Sequence, residues 1–205
     1  MNIEVKSSVK LVNYTESMKI LEQRVEDVLL GKKDEFLWII EHMPVYTAGT
    51  SAKKSDLIDK NLKVIKTNRG GKITYHGPGQ KVVYFVLNLN KREKDIKKLI
   101  SRIESCIIDV LKEYKIKSYT DGNNVGIWVD KNNDSMKIAA IGIKVRRWIA
   151  YHGFALNIYN DLSNYNGIVP CGIRDKKVTN LKEMGVKNYY NINEIITKKF
   201  LNIFL

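Results

Sequence analysis

The sequence predicts an α+β domain in which helices flank a mixed or antiparallel sheet. Along its 205 residues, apolar positions recur at helical spacing in some stretches and in short strand-like runs in others, in the order helix, strands, helix, strands, helix. The regular alternation of strand and helix that indicates a parallel sheet is absent. Because no internal repeat, low-complexity linker or Pro/Ser-rich boundary divides the chain, we expect a single domain over residues 1–205.

Three helices are predicted from apolar residues that recur every three or four positions. The first begins after Asn13, whose side chain suits an N-cap with Glu16 three residues later, and it ends at Gly31. The second covers residues 91–114. The third covers residues 192–204 and closes the chain.

Strands are predicted where apolar residues run together or alternate over short stretches. The predicted strands are 36–40, 62–67, 81–89, 125–129, 137–145 and 148–158. The stretches 41–52 (EHMPVYTAGTSA) and 69–80 (RGGKITYHGPGQ) are predicted to be loops, because glycine, proline and polar residues are frequent in them.

Composition and charge limit the classes of partner. The chain carries 35 Lys and Arg against 22 Asp and Glu, a net charge of +13, which favours an acidic partner, either nucleic acid or an acidic protein. The lysines are scattered, without a run of five or more, so we expect no nucleic-acid partner. No apolar run reaches the roughly 18 residues of a membrane span, and the amino end lacks the features of a signal peptide. Two cysteines are too few for a disulfide scaffold, so we expect a cytoplasmic protein with reduced thiols.

Reactive and metal-binding side chains gather in four short segments that also contain proline or glycine. These segments are His42-Met-Pro44, His76-Gly-Pro78, Tyr151-His-Gly153 and Pro170-Cys-Gly172. Each lies in a predicted loop or near the end of a predicted strand, where binding groups collect on a rigid scaffold. The sequence therefore indicates these segments as the place to look for a site.

Neither a metal site nor a phosphate site is well supported. The residues His42, His76, His152 and Cys171 could be zinc ligands, but they lack a close pair such as CxxC or HExxH. The glycine-rich stretch 69–80 lacks the GK[ST] and GxGxxG patterns, and it precedes a strand rather than a helix. We therefore expect no metal and no cofactor.

A nucleophilic cysteine is the third kind of site. Cys106 lies on the apolar face of a predicted helix and is interpreted as core filler. Cys171 follows a proline and precedes a glycine, so its thiol is interpreted as presented rather than packed. The alternative is that Cys171 is a small apolar residue of a loop. A free thiol has a pKa of about 8.5 and needs a nearby cation or base to react at neutral pH. Candidates for that group are His76, His152 and Lys137.

Lys137 differs from the other lysines in its neighbours. It opens the stretch 137–142 (KIAAIG), whose other residues are apolar or small, so its ammonium group would lose water on entering the strand. Such a lysine could exchange protons with a reacting group near neutral pH. The alternative is a strand-end lysine that reaches into solvent.

Four stretches match one protein family together. They are RGGKITYHGPGQ (69–80), KIAAIGIKVRRWIAYHGFALNI (137–158), IVPCGI (168–173) and EHMPVYTAG (41–49). In order and spacing, these stretches resemble the lipoyl(octanoyl) transferases, the octanoyl–carrier-protein:protein transferases of lipoate synthesis. Matching pieces run from about residue 14 to residue 182, so the resemblance covers most of the chain.

The resemblance implies a fold, a reaction and partners. The fold would be that of the catalytic domain of biotin and lipoate protein ligases. The reaction would transfer an octanoyl group from octanoyl-acyl carrier protein to a lysine of lipoyl domains, in 2-oxoacid dehydrogenase complexes and in the glycine-cleavage H protein. Cys171 would carry the acyl thioester, and Lys137 would lower the pKa of the thiol and act as acid and base. The acyl site would be lined by Arg69, Gly70, Gly71, Lys72, Ile73, Thr74, Tyr75, His76, Ala140, Ile141, Gly142, Gly153, Phe154 and Ala155, with His152 as a supporting residue.

The chain departs from the family's usual pattern at two places. Met43 precedes Pro44, where the family often has proline, and the stretch 146–148 (RRW) is more basic than in many members. Neither place includes the cysteine or the lysine. The basic residues Lys144, Arg146, Arg147 and Arg174 flank the expected site and would suit acidic carrier proteins and lipoyl domains.

Two other functions stay open from the sequence. A lipoate or biotin protein ligase shares the fold and uses ATP, but the PCG cysteine, the HGPGQ sequence and the lack of an appended domain argue against it. A non-catalytic module that binds carrier proteins would leave Cys171 and Lys137 without a role.

Overall fold

The computed structural model of the protein describes residues 2–122, 124–169 and 177–205. Its helices and strands are, in chain order, β1 (Ile3–Ser7), α1 (Tyr14–Leu29), β2 (Glu35–Ile40), β3 (Val45–Ala48), β4 (Val64–Lys66), β5 (Ile73–His76), β6 (Gln80–Asn88), α2 (Ile96–Glu113), β7 (Tyr119–Asp121), β8 (Asn124–Lys131), β9 (Asp134–Arg146), β10 (Ile149–Asn157), β11 (Lys177–Val178) and α3 (Ile192–Phe204). Among these residues, no helix has both the length and the apolar character needed to cross a membrane.

Two sheets form the framework. The larger sheet has the order β1-β2-β6-β10-β9-β8-β7, with β11 beside β9, and the smaller sheet has the order β4-β3-β5. Most neighbours are antiparallel, whereas β1–β2, β9–β11 and β3–β4 are parallel. The predicted α+β class with a mixed sheet flanked by helices is therefore confirmed.

The larger sheet is covered on both faces. Alternate residues of β2 and β6, such as Leu37 and Phe85, join the core with α2 and α3, and the intervening residues, such as Trp38 and Tyr84, join the core with α1. Strands buried on both faces consist of continuous apolar residues rather than alternating ones. This explains the uninterrupted apolar runs at 36–40 and 82–87.

The loop predictions for 41–52 and 69–80 were wrong in part, because each stretch contains a short strand. β3 and β5 pair antiparallel, with Val45 opposite His76 and Ala48 opposite Ile73. Each strand has only four residues and lies between glycines or prolines, so neither shows an alternating pattern of useful length. This pairing places the glycine-rich stretch over the larger sheet.

Other differences fall at short or weakly patterned elements. β1 and β7 were not predicted, since β1 exposes most of its side chains and β7 has three residues. The second helix begins at Ile96 rather than at residue 91, because the Asp95 carboxylate caps it by accepting a hydrogen bond from the Lys98 backbone N–H at 3.0 Å. The first helix matches its prediction, with the Asn13 side chain accepting from the backbone N–H groups of Thr15 and Glu16.

Candidate active site

A cavity of about 440 Å³ lies between α1, β5 and the strands β6, β8, β9 and β10. Most residues that the sequence predicted for binding line this cavity. They are Arg69, Gly71, Lys72, Ile73, Thr74, His76, Ala140, Ile141, Gly142, Gly153, Phe154 and Ala155, together with Lys137 and His152. Gly70 and Tyr75 do not line it. The Gly70 N–H instead donates to the Ile143 carbonyl at 3.1 Å, and the Tyr75 ring packs against Tyr46 and Tyr165.

Two stretches of one hairpin lie side by side in the wall of the cavity. β9 and β10 pair antiparallel, so Ala140 lies opposite Ala155 and Gly142 lies opposite Gly153. The hairpin turn between them is tight, with positive φ angles at Arg147 (49°) and Trp148 (64°). The register therefore joins the stretches 140–142 and 153–155 into one surface.

Gly153 allows β6 to lie close behind that surface. A Cβ at this position would lie 1.9 Å from the carbonyl oxygen of Val83, which no side chain can occupy without moving a strand. We expect Gly153→Ala to lower the free energy of unfolding by about 2–4 kcal/mol. Gly122→Ala is the matched control, because no atom lies within 4 Å of its added Cβ, and its effect should stay within about 0.5 kcal/mol. Urea denaturation measures both, and equal midpoints would contradict the close approach.

The Arg69 side chain holds the glycine-rich stretch in place. Its guanidinium donates to the carbonyl oxygens of Gly70, Thr47 and Lys72 at 2.9 Å each, and to the Thr47 hydroxyl at 2.8 Å. Gly49 faces this stretch so closely that a Cβ would lie 2.3 Å from the Gly71 carbonyl oxygen. The buried Arg69 thus fixes the backbone that forms one side of the cavity.

Lys137 lies inside the protein rather than in solvent. Its side chain is 5% exposed, and its Nζ donates to the Val125 carbonyl oxygen at 2.8 Å. The ammonium also lies 4.6 Å from the centre of the Trp128 ring, an arrangement that favours a cation. Gly126 makes room for it, because a Cβ there would be 3.1 Å from the Nζ. A buried, fixed amine thus stands in the wall of the cavity.

The second predicted catalytic residue, Cys171, lies outside the described residues, as do Pro170, Gly172 and Arg174. The chain on either side of them is described. Before the gap, the Val169 N–H donates to the Asp56 carbonyl at 2.8 Å. After it, Lys177 pairs with Met136 and Val178 pairs with Lys137. The described chain therefore resumes directly beside Lys137, six residues after Cys171.

All three histidines are buried and hydrogen-bonded. His42 bonds the Val12 carbonyl oxygen and the Tyr84 hydroxyl, at 2.9 and 2.8 Å. His76 bonds the Gln80 side chain at 2.6 Å, and His152 bonds the Asn68 side chain at 2.7 Å. Burial lowers the pKa of His42 to about 4 and the pKa values of His76 and His152 to about 3. At neutral pH the rings are therefore uncharged.

Neutral buried histidines make stability depend on pH. In the unfolded chain a histidine has a pKa of about 6.5, so between that value and the lower folded pKa the unfolded state binds more protons. The three histidines should therefore make their full contribution to the free energy of unfolding above pH 6.5. Below that pH the free energy of unfolding should fall, by up to about 1.4 kcal/mol per pH unit for each histidine. Chemical denaturation between pH 7 and 5 measures this slope. A flat profile would show that the rings protonate freely in the fold.

The cavity also contains residues that the sequence did not indicate. They are Tyr14, Ser51, Val82, Tyr84, Asn124 and Val125. Tyr14 follows the helix cap and Tyr84 lies within an apolar strand, so each resembles an ordinary core residue in the sequence. Only their position next to the histidines distinguishes them.

Two sequence interpretations concern cysteine and metal. Cys106 is fully buried in the core with α2 and α3, and burial raises its pKa to about 12, which confirms it as core filler. Within residues 2–122, 124–169 and 177–205, no three His, Cys, Asp or Glu side chains are arranged to hold a metal ion.

A family model and the most similar relatives that we compared point to the same protein family. The family model described as lipoyl protein ligase A/B catalytic domain matches residues 13–201. A protein named octanoyltransferase from Wolbachia sp. subsp. Brugia malayi (strain TRS) is 46% identical over 199 residues, which cover 96% of this chain and 97% of that protein. An octanoyltransferase from Anaplasma phagocytophilum (strain HZ) is 45% identical over 207 residues, which cover 100% of both.

A solved structure shares the fold at low sequence identity. It is a bi-partite lipoate protein ligase from Thermoplasma acidophilum, with a TM-score of 0.73 and 13% identity, and the match covers 98% of this chain and 84% of that one. The expected ligase-like fold is therefore confirmed.

Proposed function

The chain belongs to the lipoyl protein ligase A/B catalytic domain family, among its octanoyltransferases, and we propose that it moves an octanoyl group from octanoyl-acyl carrier protein to a lysine of a lipoyl domain. Acceptors are the lipoyl domains of 2-oxoacid dehydrogenase complexes and the glycine-cleavage H protein. The reaction passes through a thioester on Cys171.

The observation that carries this proposal is the buried amine of Lys137 in the cavity wall, beside the strand that follows the Cys171 segment. Lys137 is held by Val125 and Trp128, and β11 pairs with β9 at Lys137 itself. A cation close to a thiol lowers the pKa of the thiol and supplies a proton carrier. A cysteine that accepts and releases an acyl group requires both a lowered thiol pKa and a proton carrier.

Two exchange steps account for the transfer. The Cys171 thiolate attacks the carbonyl carbon of the donor thioester, a new C–S bond forms, and the carrier's thiolate leaves with a proton from Lys137. The acceptor amine then attacks the acyl-enzyme, an amide bond forms, and the Cys171 thiolate leaves. Lys137 takes up the proton that the amine loses. The donor is already activated as a thioester, so neither step needs ATP.

The cavity suits a saturated acyl chain. In the paired stretches 140–142 and 153–155, four of the six residues are glycine or alanine and the other two, Ile141 and Phe154, are apolar, which leaves an apolar slot against β5. Burying about seven methylene and methyl groups at about 0.8 kcal/mol each gives an upper figure of about 5–6 kcal/mol before ordering costs. Such a slot binds an octanoyl tail without a specific polar contact to it.

Basic residues near the β9–β10 turn would attract acidic partner proteins. Arg147 is exposed at the turn, whereas Arg146 already pairs with Glu26 at 2.6 Å. We expect Arg147→Glu to lower kcat/KM for octanoyl-acyl carrier protein by about threefold to tenfold at low salt, and much less at high salt, because opposite charge accelerates encounter. Lys198→Glu, on the exposed face of α3, is the control with the same charge change. Equal effects of the two variants would show that the β9–β10 turn does not contact the acyl carrier protein.

A transfer assay without ATP tests the proposed function. The protein is mixed with octanoyl-acyl carrier protein and a lipoyl domain, and the lipoyl domain is weighed by intact mass spectrometry. We expect a gain of one octanoyl group on one lysine. Transfer that appears only with free lipoate and ATP would indicate a ligase, and binding without any transfer would indicate a carrier-protein binding module.

A further inference from the structure

Five buried ring side chains form a cluster beside the cavity: Tyr14, His42, His76, Tyr84 and His152. Neighbouring rings within this histidine–tyrosine cluster have centroids 5.3 to 6.5 Å apart. All of its members except His42 line the cavity. The transfer chemistry above uses none of them, yet they give an otherwise apolar slot a wall of hydrogen-bonding groups.

The hydrogen bonds of His152 determine which of its nitrogens carries the proton. The Glu22 carboxylate can only accept, so the Asn68 Nδ2 group, at 3.1 Å, must face it as the donor. The Asn68 Oδ1 atom therefore faces His152 Nε2 at 2.7 Å and accepts its proton. In the neutral ring the other nitrogen, Nδ1, is then an acceptor without a proton.

The same argument gives the other two histidines the opposite tautomer. The Val12 carbonyl oxygen accepts from His42 Nδ1, so the Tyr84 hydroxyl donates to His42 Nε2. The Gln80 amide nitrogen donates to the Asn157 side-chain oxygen at 2.9 Å, so the Gln80 oxygen accepts from Nδ1 of His76. Both rings carry their proton on Nδ1.

The acceptor of His152 is left without a partner among the described residues. The Nδ1 atom of His152 makes no hydrogen bond with any described residue. Water in the surrounding solvent cannot satisfy it, because His152 is only 2% exposed. The Tyr14 hydroxyl, which has Thr67 beside it, is also buried and completes no hydrogen bond of ordinary geometry with the described residues. Buried polar atoms of this kind indicate a bound polar molecule that supplies the missing hydrogen bond.

An unusual backbone conformation turns the His152 ring to the same side of the sheet as the Tyr151 ring, where it lines the cavity. His152 has a φ of 68°, which is rare within a strand. Its ring stacks on that of Tyr151, with centroids 4.8 Å apart, whereas consecutive strand residues normally face opposite sides. Strain of this kind is concentrated at functional sites.

His152 also lies at the end of the cavity away from Lys137. It pairs with Ile143, six residues along β9 from Lys137, so the Cα atoms of Lys137 and Ile143 are about 20 Å apart at about 3.3 Å per residue. The Lys137 side chain covers part of this distance, because its Nζ reaches the Val125 carbonyl oxygen and the position of Gly126, next to the Ala139 carbonyl oxygen. The paired stretches 140–142 and 153–155 lie between the two ends. An acyl tail whose carbonyl lies near Lys137 would run towards His152.

We propose that His152 is a specificity-determining residue: its bare Nδ1 keeps a water molecule at this end of the cavity, and that water limits how far a hydrocarbon tail can extend. The inference rests on the proposed function for the direction of the tail. A longer tail must displace the water without replacing its hydrogen bond, which disfavours that substrate. A tail that ends in a hydroxyl group can replace the water and its hydrogen bond.

The tautomers can be measured without any reaction. The chain has three histidines, so their ring nitrogens give a simple ¹⁵N NMR spectrum at neutral pH. We expect one ring, His152, with its proton on Nε2 and two rings with their protons on Nδ1. A proton on Nδ1 of His152 would overturn the inference.

A pair of carrier-protein substrates tests the specificity. For the wild-type protein, we expect kcat/KM for 10-hydroxydecanoyl-acyl carrier protein to exceed that for decanoyl-acyl carrier protein by about fivefold, the value of one buried hydrogen bond. His152→Leu, which removes the acceptor, should bring this ratio to one or below. His152→Asn, which keeps an acceptor oxygen and tolerates a positive φ, should keep the ratio above one.

The comparison separates specificity from stability and from the proposed function. A purely structural role would lower both rates equally and leave the ratio unchanged in all three proteins, which would overturn the inference. If the wild-type protein transferred no octanoyl group, the proposed function would fail. Calorimetry would then measure the affinities of the same three proteins for free decanoic acid and free 10-hydroxydecanoic acid. The inference predicts that the hydroxy acid binds more tightly to the wild-type protein and to His152→Asn, but not to His152→Leu.

Discussion

Replacing Cys171 with alanine is expected to lower the rate of octanoyl transfer by at least about 1000-fold, because the variant has no atom that can carry the acyl group. The acceptor amine would then have to attack the carrier-protein thioester directly. Transfer is measured by the mass of the lipoyl domain over time, with the same substrates and without ATP.

The chain provides a matched control for this variant. Cys106→Ala makes the same chemical change in the core between α2 and α3, where burial raises the pKa of the thiol to about 12. We expect Cys106→Ala to keep the transfer rate within about threefold of the wild type while losing some stability. If Cys171→Ala kept more than a tenth of the wild-type rate, transfer would be direct and Cys171 would have no covalent role.

Replacing Lys137 with methionine is expected to lower the transfer rate by about 100-fold to 10,000-fold, the range of a positioned proton carrier. Methionine preserves much of the length and apolar volume of the side chain, so the packing against Trp128 should persist. The amine that bonds Val125 and that would exchange protons with Cys171 is lost.

Thiol reactivity distinguishes this role from a structural one. If Lys137 lowers the pKa of the Cys171 thiol, then Lys137→Met should shift the pH dependence of alkylation by iodoacetamide upwards, towards the ordinary thiol pKa of about 8.5. Cys106 is fully buried, so alkylation of the folded protein reports on Cys171. Lys137→Arg retains the charge but not the compact ammonium or its proton exchange, and it should recover the alkylation profile without recovering the transfer rate. An unchanged profile in Lys137→Met would assign Lys137 a structural role only.

The large elements could be predicted from the sequence because their patterns are long. The helices α1, α2 and α3 and the strands β6, β9 and β10 each have nine residues or more, enough to show a helical period or a continuous buried run. β3 and β5 have four residues each, and their pairing depends on the Arg69 side chain and on contacts with the larger sheet. No local pattern encodes those contacts.

The candidate site divides in the same way. The motif-bearing residues Lys137, Ala140, Gly142 and Gly153 could be predicted, since they stand in long stretches that resemble one family, and the structure brings them to one cavity. Tyr14 and the tautomer of His152 could not be predicted, because they depend on burial and on partners 84 residues apart in sequence. The sequence indicates which residues carry reactive groups, and the fold determines which of those groups are left with an unused hydrogen bond.

If Cys171 carries the acyl group, the protein itself should gain mass when it is mixed with octanoyl-acyl carrier protein without ATP and without an acceptor, and intact mass spectrometry measures this gain. We expect a gain of one octanoyl group that hydroxylamine removes, that is absent in Cys171→Ala and that disappears when a lipoyl domain is added. A lipoyl domain that becomes octanoylated while the protein never gains mass, even on rapid quenching, would show that no acyl-enzyme forms on Cys171.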